Sequence, residues 1–180
     1  QETVQLIEDL TPITIAAVDG ICTGGGLELT LVCDFVIATD RSRWGMPEID
    51  WDITPGWGGT SRLPRFAGRR KAKEWNLIGQ LFSGHMAERY DLVNRVVAPE
   101  QLGPEVEALT EVMLRKHPMT VRRTKFIMTK GVELPLTGAL AFEVPIMPYA
   151  RHSSGLKDFK SADARVERRK LSKHFWSDLS

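Results

Sequence analysis

The chain has 180 residues, of which 42% are hydrophobic and 26% charged, and its formal net charge is +1. This length supports one domain with a substantial core and does not require two. The near-neutral balance gives no support for a nucleic-acid partner or an acidic membrane surface. No apolar run approaches the roughly 18–20 residues that a membrane span needs, so we predict no membrane partner either.

The first ten residues carry apolar side chains at helical spacing, without the basic and apolar regions of a signal peptide. They lack a starting Met and resemble the middle of an amphipathic helix, so we expect a fragment or a processed product. Cys22 and Cys33 lie in apolar surroundings and belong to no metal-binding pattern. We interpret them as buried thiols, which favours a reducing compartment: the cytoplasm, or the mitochondrial matrix if the source is eukaryotic.

Residues 13–38 combine short apolar strands with a glycine turn. Residues 13–18 (ITIAAV) are typical of a buried strand, and residues 35–38 (FVIA) predict a second one. Between them, residues 27–32 (LELTLV) can form a helix directly after three glycines. A strand, a turn, a helix and a strand in so few residues predict an α/β fold.

The segment 41–59 contains three tryptophans, two prolines and several glycines without any periodicity. It indicates a long ordered loop, and such loops often carry function. Helical patterns resume at 60–66 and 69–78, and residues 92–97 predict a third strand.

From residue 101 onward the pattern is helical only, and Pro118 suits the first position of a helix. The last segment, 162–174, is strongly basic and predicts a further helix. We therefore divide the chain into an α/β core, residues 1–100, and a helical C-terminal region, residues 101–180.

Three consecutive glycines, Gly24, Gly25 and Gly26, need a physical reason, because glycine weakens a regular element unless it provides a positive φ or a close backbone approach. One interpretation is a tight turn with only a packing role. The other is a helix N-terminus whose free N–H groups face a ligand with negative charge. The sequence GGGLEL matches neither a dinucleotide-binding nor a P-loop pattern.

Glu28 lies in the first turn of the predicted helix, where an acid can simply complement the helix dipole. Its apolar neighbours make a carboxylate costly unless it is paired or used, which favours a functional role.

Glu48 lies in the long loop, which Pro47 and Pro55 stiffen. A stiff, aromatic-lined loop with one carboxylate is a candidate wall of a site, and the alternative is an exposed loop acid. Asp50 and Asp52 are nearby, but no His accompanies them, so we predict no metal site.

Two blocks of sequence, in order and in register, resemble the crotonase (enoyl-CoA hydratase/isomerase) superfamily. The first block is PITIAAVDG (12–20), CTGGGLEL (22–29) and CDFVIA (33–38), and the second is WGMPEI (44–49), ITPG (53–56), RLPR (62–65) and LVNRVV (92–97). The separation between the two glutamates is the same as in that family. The similarity extends from about residue 12 to the mid-140s.

The resemblance implies a crotonase-like ββα spiral core with a helical C-terminal region that mediates trimerisation, hence a homotrimer or a hexamer. It implies a coenzyme A thioester as the substrate and no permanently bound cofactor. Relatives usually begin earlier, and the N-terminal third that this chain lacks supplies another oxyanion N–H and much of the CoA site. Asp91 stands where many relatives have Gly, which we expect to alter only a turn.

The resemblance also assigns roles to individual residues. The Gly25 N–H would donate to the thioester oxygen, and Glu28 would act as general base on the attacking water. Glu48 would deliver a proton to the α-carbon. Gly56 would line the pocket near the reacting carbons.

Gly24, Pro55 and Trp57 complete the predicted substrate-binding set. The tryptophans of the loop are predicted either to line an acyl pocket, with Trp51 or Trp57 favoured, or to serve as core or trimer contacts. The basic run 165–173 is either a solvated helix face or a contact for CoA phosphates.

The predicted function is therefore an enoyl-CoA hydratase, which adds water across the 2,3 double bond through an enolate held in an oxyanion hole. Two glutamates favour a hydratase, since one would suit an isomerase. The alternatives are another reaction of the superfamily (isomerisation, hydration with cleavage, decarboxylation or thioester hydrolysis) and a non-catalytic acyl-CoA binding subunit.

Overall fold

The computed structural model of the chain describes residues 1–146. It divides into two compact units, Gln1–Val106 and Glu107–Ser180. Residues 107–146 are the described part of the second unit. The predicted basic helix at 162–174 lies outside the described residues.

Within residues 1–146 the structure contains six strands and eight α-helices. The strands are β1 (Ile15–Val18), β2 (Ile21–Thr23), β3 (Phe35–Thr39), β4 (Arg43–Gly45), β5 (Phe82–Ser83) and β6 (Arg95–Val97). The helices are α1 (Glu2–Glu8), α2 (Gly25–Thr30), α3 (Leu63–Phe66), α4 (Arg69–Ile78), α5 (Gly84–Arg89), α6 (Leu102–Leu114), α7 (Pro118–Gly131) and α8 (Leu136–Glu143).

The strands form two small sheets, and β1 to β4 belong to the two sheets in turn. β1, β3 and β6 pair in parallel in one sheet, with Ile15 opposite Phe35. In the other sheet β2 pairs in parallel with β4, which pairs antiparallel with β5. The chain therefore passes through β1 and β2, one strand in each sheet, before α2 returns it to β3. This ββα order places the start of α2 beside the end of β4.

The core of the first unit is formed by apolar side chains from α2, β3, β4 and α3. Leu27, Ile37, Trp44 and Leu63 have no exposed surface. The indole N–H of Trp44 donates to the buried Ser42 Oγ at 2.9 Å, which satisfies its polar atom. Of the roles considered for Trp44, the structure supports a core residue.

The segment 41–59 has more regular structure than its sequence indicates. It contains β4 and a 3₁₀ turn, Pro47–Trp51. β4 and β2 have three residues each, which is too short to show the alternation of apolar and polar residues that predicts a strand. The third predicted strand is shorter than expected, because only Arg95–Val97 pairs with β3.

Asp91 occupies a turn of left-handed backbone, with φ of 60°. Asp and Asn are among the few residues other than glycine that enter this region readily. Asp91 can therefore adopt the turn backbone at this position, which is consistent with the expectation that it alters only a turn.

In the second unit α7 and α8 pack against each other, and the rings of Phe126 and Phe142 lie 5.5 Å apart. Both helices also expose large apolar side chains. The predicted trimer or hexamer stays a prediction. None of the described helices is long and apolar enough to cross a membrane.

Candidate active site

Gly24 is the first of the three consecutive glycines and the N-cap residue of α2. Its φ of 55° and ψ of −125° are readily available only to glycine. Its N–H donates to the carbonyl oxygen of Gly45 at 3.0 Å, which ties the turn to the end of β4. A Cβ placed on Gly24 would lie 2.8 Å from Glu48 Oε1. The carboxyl group of Glu48 is therefore in direct contact with the backbone at the start of α2.

Glu28 lies in the first turn of α2 and is 2% exposed. Its Oε1 accepts two backbone hydrogen bonds, from the N–H groups of Trp57 at 2.8 Å and Gly59 at 2.7 Å. Burial of a carboxylate is unfavourable without such donors, and hydrogen bonds to an ionised group are the stronger kind. The loop thus holds a buried carboxylate in a fixed orientation.

Gly59 allows the loop to approach Glu28 closely. A Cβ on this residue would lie 3.1 Å from Glu28 Oε1 and would overlap the methyl group of Met46. It would also lie 3.1 Å from Pro55 Cβ. Only a residue without a side chain brings a backbone N–H to the carboxylate here. In the sequence, Gly59 is marked only as the second of two adjacent glycines after Trp57. The sequence alone does not show why a glycine is needed there.

Glu48 is the second residue of the 3₁₀ turn that begins at Pro47, and it is 9% exposed. Its Oε2 is buried and has no hydrogen-bond partner among residues 1–146. Burial raises the pKa of Glu48 above its ordinary value of 4.5, and the nearby carboxylate of Glu28 raises it further. A hydrogen bond from its own backbone acts in the opposite direction. The site therefore stabilises the protonated form of Glu48 more than water does.

The two carboxyl groups thus share one site in contrasting environments. Two backbone donors satisfy Glu28, whereas Glu48 has a buried oxygen without a partner. Pairs of carboxyls whose surroundings favour different protonation states are how enzymes combine an acid and a base at one pH. This arrangement can accept a proton at one carboxyl and donate one at the other.

Trp57 connects the glycine turn to this carboxyl pair. Its ring atoms Cζ3 and Cε3 lie 3.1 and 3.2 Å from the place that a Cβ on Gly25 would occupy. Gly25 is the first residue of α2, so its N–H has no carbonyl partner within the helix. Trp57 as a whole is 46% exposed, while its backbone N–H binds Glu28.

Gly56 and Pro55 lie in the same loop, immediately before Trp57. A Cβ on Gly56 would meet nothing within 4 Å, so open space lies beside this residue. Pro55 faces Gly59, as described above. Trp51, the other tryptophan considered for the pocket, is 75% exposed.

The structure therefore brings most of the predicted site residues together: Gly24 contacts Glu48, and Trp57 contacts both Gly25 and Glu28. Two further residues were not among those predicted: Gly59, and Arg62, whose side chain contacts the same loop. Among residues 1–146, no group of three His, Cys, Asp or Glu side chains is placed to hold a metal ion.

The raised pKa of Glu48 leads to a stability prediction. Because the folded-state pKa lies above the unfolded value, the contribution of Glu48 to folding stability is fully present below pH 4.5, and it is lost as the pH rises through the folded-state pKa. Glu48→Gln ionises in neither the folded nor the unfolded state, so it does not lose this contribution, and its melting temperature should exceed that of the wild type at neutral pH. The difference should shrink below pH 4.5. Thermal unfolding at a series of pH values measures it, and a variant that is less stable than the wild type at pH 7 would contradict the prediction.

Comparison with known proteins identifies the family. The family model described as enoyl-CoA hydratase/isomerase matches residues 1–175. The crotonyl-CoA hydratase of Syntrophomonas wolfei is 40% identical over 143 residues, which are 79% of this chain and 55% of that protein. A short-chain-enoyl-CoA hydratase of Clostridioides difficile is 40% identical over 131 residues, 73% of this chain and 84% of that protein.

A solved structure agrees with these sequence relationships. The crystal structure of an enoyl-CoA hydratase from Bacillus anthracis has a TM-score of 0.84 and 36% identity, covering 88% of this chain and 63% of that one. The chain thus spans little more than half the length of the Syntrophomonas relative. The chain belongs to the enoyl-CoA hydratase/isomerase family, which confirms the predicted superfamily and its α/β fold.

Proposed function

We propose that the full-length protein is an enoyl-CoA hydratase, which adds water across the 2,3 double bond of an enoyl-CoA thioester. The observation that carries this proposal is the pair of buried carboxyls, Glu28 and Glu48, in contrasting environments. The family includes isomerases as well as hydratases. Addition of water removes a proton from oxygen and adds one to carbon, so one carboxyl can act as general base and the other as general acid.

In the proposed reaction Glu28 is the general base. Its Oε1 is occupied by the N–H groups of Trp57 and Gly59, so Oε2 is the oxygen that holds the water and takes its proton. The two hydrogen bonds fix the direction of the carboxylate, and a fixed direction reduces the entropy that the reaction must otherwise lose.

Glu48 is the general acid. Its surroundings raise its pKa by burial, which makes the protonated form more accessible than in water, and its Oε2 has no competing partner in the described part of the chain. The proton passes to the α-carbon as the oxygen of water bonds to the β-carbon. After one turnover Glu28 carries a proton and Glu48 has lost one, and exchange with solvent restores both.

The Gly25 N–H is proposed as the oxyanion donor. Negative charge moves onto the thioester oxygen as water adds, and a fixed N–H there stabilises the enolate. One such donor contributes ~3–4 kcal/mol in comparable sites. The position of Gly25 at the start of α2 leaves this N–H without a partner inside the helix.

Trp57, Pro55 and Gly56 are proposed to line the acyl pocket beside Gly24. The ring of the half-exposed Trp57 is an apolar surface in contact with Gly25, and open space adjoins Gly56. An apolar wall with few polar groups is usual for a small-molecule site.

Turnover of crotonyl-CoA by the full-length protein tests the proposal. We expect the enoyl absorbance to disappear and the 3-hydroxyacyl-CoA to accumulate, measured by spectroscopy and mass spectrometry. A product with a shifted double bond would instead indicate an isomerase, and free coenzyme A would indicate a thioester hydrolase. Binding of crotonyl-CoA without turnover would contradict the proposal and favour a non-catalytic subunit.

A further inference from the structure

Arg62 joins the loop that holds Glu28 to the first helix of the chain. Its Nη2 donates to Glu8 Oε2 at 2.8 Å and to Gln5 Oε1 at 3.1 Å, both on α1. Its Nη1 donates to the carbonyl oxygen of Trp57 at 3.2 Å. The side chains of Arg62 and Glu8 are only 21% and 25% exposed, so solvent screens this ion pair less than a fully exposed one.

The backbone of Arg62 acts on the same loop. The carbonyl oxygen of Gly58 accepts the N–H groups of Arg62 at 2.6 Å and Ser61 at 2.9 Å. That carbonyl belongs to the peptide unit whose N–H, on Gly59, donates to Glu28. Because a peptide unit is planar and trans, fixing the direction of its C=O fixes the direction of its N–H on the opposite side.

The guanidinium group lies close against this backbone. Gly58 has a φ of 119°, and a Cβ there would overlap Arg62 Nη1. Gly58 has no side chain, which leaves room for the guanidinium group of Arg62. Arg62 thus contacts the carbonyl oxygen of Trp57, the residue whose N–H binds Glu28. It also contacts the carbonyl oxygen of Gly58, whose peptide unit carries the Gly59 N–H that binds the same carboxylate.

We propose that Arg62, held by Glu8, is a positioning residue that aims the two loop N–H groups at Glu28. This inference rests on the proposed function, since it assigns Glu28 a catalytic orientation that must be kept. The carboxylate of Glu8 on α1 thereby acts on the loop through Arg62, whose side chain contacts the Trp57 carbonyl and whose backbone contacts the Gly58 carbonyl. A solvent-exposed ion pair with only a structural role would contribute little to stability and would not change the kinetics selectively.

The test compares Arg62→Met, Arg62→Lys and Glu8→Gln in the full-length protein, with crotonyl-CoA as the substrate. Arg62→Met should lower kcat by about 10–100-fold and leave KM within a few-fold, because the substrate is still bound while the base is misdirected. Arg62→Lys should recover part of the loss, since an ammonium can reach one of the two partners. Glu8→Gln should cause a smaller loss of kcat, since the contacts of Arg62 with Gln5 and Trp57 remain.

Arg41→Met is the matched control, because the Arg41 guanidinium pairs with Asp19 rather than with residues 55–59. It should keep the wild-type kcat. Arg62→Met with a kcat within twofold of the wild type, or with a rise in KM alone, would overturn the inference.

Amide hydrogen exchange at Trp57 and Gly59 gives a readout that does not depend on activity. It should be faster in Arg62→Met and Glu8→Gln than in Arg41→Met, and equal rates would overturn the inference even if activity changed. If the wild type does not hydrate enoyl-CoA, the proposed function fails, while the exchange rates still decide the role of Arg62.

Discussion

Glu28→Gln and Glu48→Gln are each expected to lower kcat for the hydration of crotonyl-CoA by about 10²–10⁴-fold, the range that general acid–base catalysis contributes. A glutamine at 28 can still accept the N–H groups of Trp57 and Gly59, but it cannot take a proton from water. A glutamine at 48 has nearly the same shape as the protonated acid, but it has no acidic proton to give. Steady-state kinetics of the purified full-length variants measure both losses.

Asp52→Asn is the matched control for these two variants. Asp52 is an exposed acid that ends the same 3₁₀ turn, and its φ of 55° is one that Asn also adopts readily. It should retain wild-type kcat. Wild-type rates in both glutamine variants would exclude the acid–base assignment. A loss in only one of them would favour isomerase or lyase chemistry over hydration.

Gly24→Ala is expected to disrupt the site most strongly without removing a polar group. The methyl group would lie 2.8 Å from Glu48 Oε1, and the backbone at φ of 55° and ψ of −125° is strained for alanine. Strain of this kind amounts to about 1–3 kcal/mol of unfolding free energy. Displacement of Glu48 by about 1 Å is enough to lower kcat by about 10²-fold.

Gly103→Ala is the control for this substitution. Gly103 lies in α6, and a Cβ there would meet nothing within 4 Å. Alanine has the higher helix propensity, but Pro104 disfavours helical backbone at the residue before it, so we expect this variant to stay within about 0.5 kcal/mol of the wild-type stability and to keep its activity. Chemical denaturation and kinetics compare the two variants. A Gly24→Ala protein with wild-type kcat would show that Glu48 does not depend on this glycine.

The sequence allows the site to be anticipated where a side chain or a glycine carries the function. Glu28 among apolar neighbours and the glycines before it are unusual enough to require an explanation, and the resemblance supplied one. The superfamily and the α/β fold follow from the same two blocks, and the comparisons confirm them.

The parts that the sequence does not show are those that depend on backbone atoms. Gly59 serves the site through its N–H, and Arg62 through contacts with a carbonyl of the loop. A peptide group is the same at every position, so only the fold shows which one reaches the carboxylate. Trp44 and Trp57 look equivalent in the sequence, but one fills the core and the other contacts Gly25.

The proposed addition of water by Glu28 and Glu48 is tested most directly by the isotopic composition of the product. Crotonyl-CoA would be incubated with the full-length protein in deuterated, ¹⁸O-labelled water and analysed by mass spectrometry and NMR. We predict a 3-hydroxyacyl-CoA with one ¹⁸O on the β-carbon and one deuterium on the α-carbon, formed far more slowly by Glu28→Gln and by Glu48→Gln. Label in a free carboxylate, a shifted double bond, or the same product at wild-type rate in both variants would contradict it.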